Sequence, residues 1–142
     1  MIIGSLALAA AASFVGAGFY VNYVEQPARL ALDDANLAKE WKPSDHRGFL
    51  VLAVLALASA VFGFAAYREL EDVRWALGAF VIVANWPYSY FAIVPLNNRI
   101  LALIDGEATH EARGVIKLWG QLEYGQTALG LLAVAIYVWA IG

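Results

Sequence analysis

The sequence predicts an all-α integral membrane protein: an antiparallel four-helix bundle with a short interfacial amphipathic helix after the first span and a helical extension before the fourth. Three observations carry this. Hydrophobic residues make up 62% of the 142 and charged residues 15%, against roughly 25% charge in an ordinary soluble domain. Four apolar segments, about 2–24, 48–67, 74–96 and 120–141, are each long enough to cross about 30 Å of hydrocarbon as a helix. The alternating ten-residue pattern of a spanning barrel does not occur. Residues 1–142 therefore read as one transmembrane domain.

The first span is rich in Ala and Gly, with Ala12 and Gly16 at small-xxx-small spacing, which suits close packing within the bundle or a dimer contact. Met1–Ala12 lacks the basic start of a secretory signal and its apolar run outlasts a signal's core, so it reads as a spanning helix. Near its end Gly18, Asn22, Glu25 and Arg29 recur at intervals of four, three and four and share a helical face. A carboxylate in hydrocarbon costs about 2.5–3.5 kcal/mol even on a lenient insertion scale, so that face is expected to look at other helices or a wet cavity. Pro27 lacks a backbone donor and clashes with the carbonyl of Tyr23, so the helix is expected to bend or end near Glu25.

Ala28–Trp41 places Leu30, Ala31, Leu37, Ala38 and Trp41 at helical spacing, with Asp33, Asp34, Lys39 and Glu40 off that set. It reads as the amphipathic surface helix. Lys42-Pro43-Ser44-Asp45 is expected to be a turn, with Ser44 or Asp45 capping the second span and His46 and Arg47 at its mouth. The second span is almost wholly apolar, and Arg68–Arg74 is a tight polar connection that sets spans two and three antiparallel. In the third span Asn85-Trp86-Pro87-Tyr88-Ser89-Tyr90 interrupts the hydrocarbon near its middle. That span is expected to end at Pro95-Leu96-Asn97-Asn98-Arg99, before an Asp105-Gly106 turn. From Glu107, the spacing of Ala108, Ala112, Val115, Ile116 and Trp119 marks an amphipathic helix running into span four. Its polar stripe is Trp119, Glu123, Gln126 or Thr127, and Gly130.

Counting crossings brings Glu25, Arg29, Trp41, His46, Arg47, Asn97, Arg99, His110, Trp119 and Glu123 to one end of the bundle. Of the 9 basic residues only Arg68 and Arg74 lie at the other end. By the positive-inside rule both termini are expected outside the cytoplasm, in an inner or plasma membrane. The net charge of −3 without a basic run argues against a nucleic-acid partner. The absence of cysteine excludes thiolate nucleophiles and cysteine-ligated metals, and two histidines do not argue a metal site.

Several residues admit two readings. Glu25 and Arg29 are either an i,i+4 ion pair sealing a helix end or a carboxyl tuned for proton exchange. Glu123, inside a span, is a functional residue by default. His110 reads as an ordinary solvated residue, and His46 stays open. The tryptophans fit interface anchors or packing, except Trp86, which lies deep beside Asn85 and Pro87 where a flat ligand has room. Asn85 fits helix-helix glue equally well.

Val24-Glu25-Gln26-Pro27-Ala28-Arg29-Leu30, Trp41-Lys42-Pro43, Trp86-Pro87-Tyr88, Pro95-Leu96-Asn97-Asn98-Arg99-Ile100-Leu101 and Trp119-Gly120 occur in this order, each on its expected helix. Together they resemble the small membrane family that includes fungal anthrone oxygenases, over nearly the whole chain. Members of that family often carry His or Asn at the fourth position after the last tryptophan and Arg at the seventh; this chain has Glu123 and Gln126 there. The resemblance implies the four-span fold. It also implies a membrane oxygenase or oxidase for a planar, apolar phenolic or quinone-type molecule that arrives from lipid, with activity either lost or altered at Glu123 and Gln126. In this reading Glu25 or Glu123 removes a proton, and Arg29, Asn97 and Arg47 stabilise the anion. Asn22, His46, Asn85, Trp86, Tyr88, Trp119 and Gln126 complete the binding site. No flavin, nicotinamide or haem motif is legible, so oxidation without a cofactor is expected. The alternative is a non-catalytic membrane protein that binds a lipid, a quinone or a partner helix, with a homo-oligomer left open. A proton-coupled transporter has less support, because no internal repeat is visible.

Overall fold

Apolar runs this long can satisfy their backbone in lipid only as helices, and helices with short connections are what the computed structural model of residues 1–142 contains. Four of them, α1 Ile2–Leu30, α2 Asp34–Leu70, α3 Val73–Asp105 and α4 Thr109–Ile141, are each long and apolar enough to cross a membrane. Helix α1 packs on α2 and α4, and α3 packs on the same two, giving an up-and-down bundle with α2 and α4 on a diagonal. The protein is a multi-pass membrane protein by this architecture.

Every helix runs further than the apolar spans alone. Helix α1 does not end near Glu25, and α3 does not end at Pro95. Both pass their proline by the same device, a π turn at Val21–Glu25 ahead of Pro27 and another at Ser89–Ile93 ahead of Pro95. The wide turn lets the Gln26 amide reach back to the Val21 carbonyl. The ladder is re-registered just before the residue that cannot donate, and the helix continues. The extra residue also rotates the face: Gly18, Asn22, Gln26 and Arg29 are buried, while Glu25 is carried to the edge and stays 25% exposed.

The Lys42–Asp45 segment is not a turn, and neither Ser44 nor Asp45 is a cap. Helix α2 starts at Asp34, where the Asp33 carboxylate accepts from the Asn36 amide at 2.9 Å. The amphipathic stretch after the first span exists, but as the opening turns of α2. Leu37 and Trp41 are fully buried there against Ile93 and Ile100 of α3 and Val115, Ile116 and Trp119 of α4, which favours one continuous helix. Pro43 is tolerated inside it because the carbonyl it frees belongs to Lys39, an exposed residue. At 37 residues α2 is about 55 Å long, so its polar start stands beyond a hydrocarbon core of about 30 Å. The second connection shrinks to Glu71 and Asp72, with Glu71 left-handed at φ 54° and Asp72 accepting from the Arg74 amide. The extension before the fourth span is continuous with α4, as expected.

Two apolar clusters fill the interior. The larger, near the termini, includes Ala7, Ala11, Phe14, Leu52, Ala56, Trp75, Ile82 and Tyr137. Ser59 donates to the Ala7 carbonyl at 2.9 Å across α1 and α2. The smaller cluster is the Trp41–Trp119 group at the other end. Polar side chains interrupt the interior between them.

Candidate functional site

A cavity of about 280 Å³ lies where the two clusters part, near the lower end of the roughly 300–1,000 Å³ usual for small-molecule sites. Phe14, Leu52 and Ala56 of the larger cluster line one end and Trp119 of the smaller lines the other. Helix α2 contributes Ser44, Asp45 and Phe49; α3 contributes Asn85, Trp86, Ser89 and Tyr90; α4 contributes Glu123 and Gln126. Phe49, Trp86 and Tyr90 are 39%, 45% and 66% exposed, so the cavity reaches the outer surface between α2 and α3. The Trp86 indole N–H donates to the Ala53 carbonyl at 3.2 Å and ties the two helices there.

The polar wall is compact. Glu123 is 6% exposed and accepts from Gln126 Nε2 at 3.0 Å. The two are three residues apart, so the helical repeat aims both inward. Asn85 is held by its Nδ2, which donates to the Ile82 carbonyl at 3.1 Å, leaving its Oδ1 buried and without a partner. Trp119 Nε1 is likewise buried and unpaired. Both residues line the hollow, and a buried polar atom left unpaired is costly unless something comes to meet it.

Beside the cavity is an ion cluster around Arg29, whose side chain is 1% exposed. Its Nη2 donates to Glu25 Oε1 at 2.6 Å and to Ser44 Oγ at 2.9 Å, and its Nε lies 3.0 Å from Glu40 Oε2. The Ser44 hydroxyl donates to Glu25. The guanidinium carbon sits 5.3 Å from the centre of the Trp119 ring, and Trp119 meets Trp41 edge to face at 5.9 Å. The cluster ties α1, α2 and α4 together and makes Trp119 a fixed wall.

Of the residues singled out from the sequence, Glu123, Gln126, Asn85, Trp86 and Trp119 meet at this cavity. Glu25 and Arg29 stand behind it, paired with each other. Asn97 is buried next to Asp45 without lining the hollow. Asn22 donates to Thr127 Oγ1 at 3.0 Å and joins α1 to α4. Tyr88 donates to the Leu122 carbonyl at 2.7 Å and joins α3 to α4. His46 and Arg47 are exposed on α2, off the cavity. His110 is exposed and lies 3.2 Å from Asp34. Sequence reasoning passed over Asp45, Ser44 and Ser89. For Asp45 a signal was present: Asp45, Phe49, Leu52 and Ala56 recur at helical spacing, but a turn at 42–45 hides it.

Four helices long and apolar enough to span a membrane, around an acid- and amide-walled hollow that reaches the outer surface between α2 and α3, define a polytopic membrane protein with an internal cavity. The chain belongs to the anthrone oxygenase family, whose profile matches residues 41–136, from Trp41 through all three helices that supply the polar wall. It is similar to the anthrone oxygenase of Claviceps purpurea (strain 20.1), with 27% identity over 128 residues covering 80% of this chain and 74% of that protein. No solved structure matches it. Oxygenase-like chemistry is therefore its family-level function.

Proposed function

We propose that this chain is a membrane oxygenase that draws a planar phenolic molecule of the anthrone type from the bilayer and oxidises its acidic carbon with dioxygen, Glu123 acting as the base. The observation that carries this is Glu123 itself, a buried carboxylate oriented by Gln126 at the wall of an apolar cavity that opens beside Trp86. The overall change converts a methylene and dioxygen into a carbonyl and water, and its first step is loss of a carbon-bound proton. A positioned carboxylate in a site without bulk water is suited to that step, worth about 10²- to 10⁴-fold. The phenolate or enolate that forms is a delocalised anion, and Trp119, a lining residue whose N–H is buried without a partner, is the proposed donor to it. Trp86 provides a flat face at the entrance. The basic residues gathered at the site end support an orientation with both termini outside the cytoplasm in an inner or plasma membrane, which tag accessibility on intact cells tests.

The activity test is oxygen uptake by the purified protein in lipid nanodiscs offered an anthrone, corrected for the spontaneous rate. One dioxygen consumed per carbonyl formed is expected, with Glu123→Gln lowering the rate about 100-fold or more and Glu25→Gln retaining the chemistry. No uptake above the protein-free rate, or full activity in Glu123→Gln, overturns the proposal. Tight retention of the anthrone without turnover establishes the binding-protein alternative instead.

A further inference from the structure

We infer that Asp45 is a second catalytic carboxyl of the cavity, the proton donor to oxygen that complements Glu123 as the base at carbon; this rests on the oxygenase reading above. The reaction's own proton balance calls for such a partner. Removal of the first methylene proton leaves a carbanion whose electron pair forms a C–O bond to dioxygen, giving a peroxide anion that must take up a proton. Removal of the second proton from carbon forms the C=O bond as the O–O bond breaks, and the departing hydroxide must take up a proton to become water. Carbon thus gives up two protons and oxygen receives two, and none has to leave the membrane.

The structure supplies two carboxyls for these two tasks. Asp45 on α2 and Glu123 on α4 both line the cavity, and because their helices stand on the bundle's diagonal they approach a bound molecule from different sides. A base at carbon and an acid at the terminal oxygen need that separation, since the two atoms lie on different parts of the intermediate.

The surrounding charges leave one proton on the pair. The one buried cation nearby, Arg29, is already engaged by Glu25 at 2.6 Å and Glu40 at 3.0 Å. Each carboxyl has a side-chain amide beside it, Gln126 donating to Glu123 at 3.0 Å and Asn97 lying against Asp45. Asp45 faces Glu123 from α4, Arg29 from α1 and Asn97 from α3, with His46 next to it in the chain and exposed. With Arg29 committed to Glu25 and Glu40, two like charges facing each other across one hollow are disfavoured, so one carboxyl of the pair keeps a proton; with Glu123 taken as the base, that proton falls to Asp45.

The test separates the two carboxyls by what each does without oxygen. Protein in nanodiscs is given an anthrone in D2O under argon, and hydrogen-deuterium exchange at the acidic carbon is followed by mass spectrometry; carbonyl formation is then measured in air. Asp45→Asn is expected to exchange within about 2-fold of the unsubstituted protein while carbonyl formation falls about 100-fold, with hydroperoxide appearing in its place. Asp45→Glu recovers a good part of the loss, and Glu123→Gln loses both activities. Equal loss of exchange and oxidation in Asp45→Asn, or undiminished oxidation, overturns the assignment while leaving the oxygenase reading intact. Neither exchange nor oxidation by the unsubstituted protein overturns the oxygenase reading, and this inference with it.

Discussion

Replacing Arg29 by methionine removes the one cation of a cluster that is otherwise acidic and preserves most of the side chain's bulk. Breaking a buried ion pair by deleting one partner costs about 3–5 kcal/mol, because the remaining charge stays behind without its counter-ion. Arg29 is 1% exposed, but Glu25 and Glu40 are 25% and 32% exposed, so water screens part of the loss and the lower end, about 3 kcal/mol, applies. Loss of the contact over the Trp119 ring, 5.3 Å away, adds about 0.5–1 kcal/mol. For a chain of this size 1 kcal/mol moves the melting temperature by about 3 °C, so a fall of about 10 °C is expected in thermal unfolding followed by tryptophan fluorescence in one detergent. The decisive comparison is the triple variant Arg29→Met, Glu25→Gln, Glu40→Gln. Charge being the cause, removing all three charged groups restores stability to within about 1 kcal/mol of the unsubstituted protein. A triple variant as unstable as the single one would show that packing of the arginine stem matters and the charge argument is wrong. A single variant that loses less than about 1 kcal/mol would show the cluster to be solvated.

Gly78→Ala is expected to cost about 1–3 kcal/mol, because a methyl there runs into the ring of Tyr137, which is fully buried and anchored by its hydroxyl to the Ser59 carbonyl; Gly16→Ala meets nothing and should stabilise by about 0.5–1 kcal/mol, and paired melts of the two variants check both. In bilayers with brominated acyl chains, a variant retaining only Trp86 (45% exposed) should be strongly quenched and one retaining only Trp41 (0%) protected; equal quenching contradicts the lipid-facing entrance. Arg74 donates to Asp72 at 2.7 and 3.0 Å and holds that carboxyl below the usual aspartate value of 3.8. A group whose folded value is depressed adds stability that is present above its unfolded value and lost as pH falls through the folded one. Asp72→Asn should therefore flatten the acid limb of a stability-against-pH curve below about pH 4 and leave its shape near neutrality unchanged.

What the chain's order of residues determined by itself was whatever depends on local transfer into lipid. Four apolar runs, the antiparallel sequence of crossings and the extension into α4 follow from hydropathy and spacing, because each segment's partition between water and hydrocarbon is decided residue by residue. Glu123 was legible for the same reason: a carboxylate well inside α4, far from either of its ends, is anomalous in lipid wherever its neighbours are. What only the tertiary structure decided depends on the facing helices. Pro27 read as a bend or an end and Pro95 as an end, yet π turns ahead of them and buried neighbours beyond keep α1 and α3 whole, and the added residue sends Glu25 to the rim and Gln26 inward. Pro43 read as part of a turn, yet Leu37 and Trp41 find partners on α3 and α4 that hold the helix through it, and Asp45 passes from a cap to a cavity wall. A hollow is the place where four faces fail to meet, and no single helix carries that information.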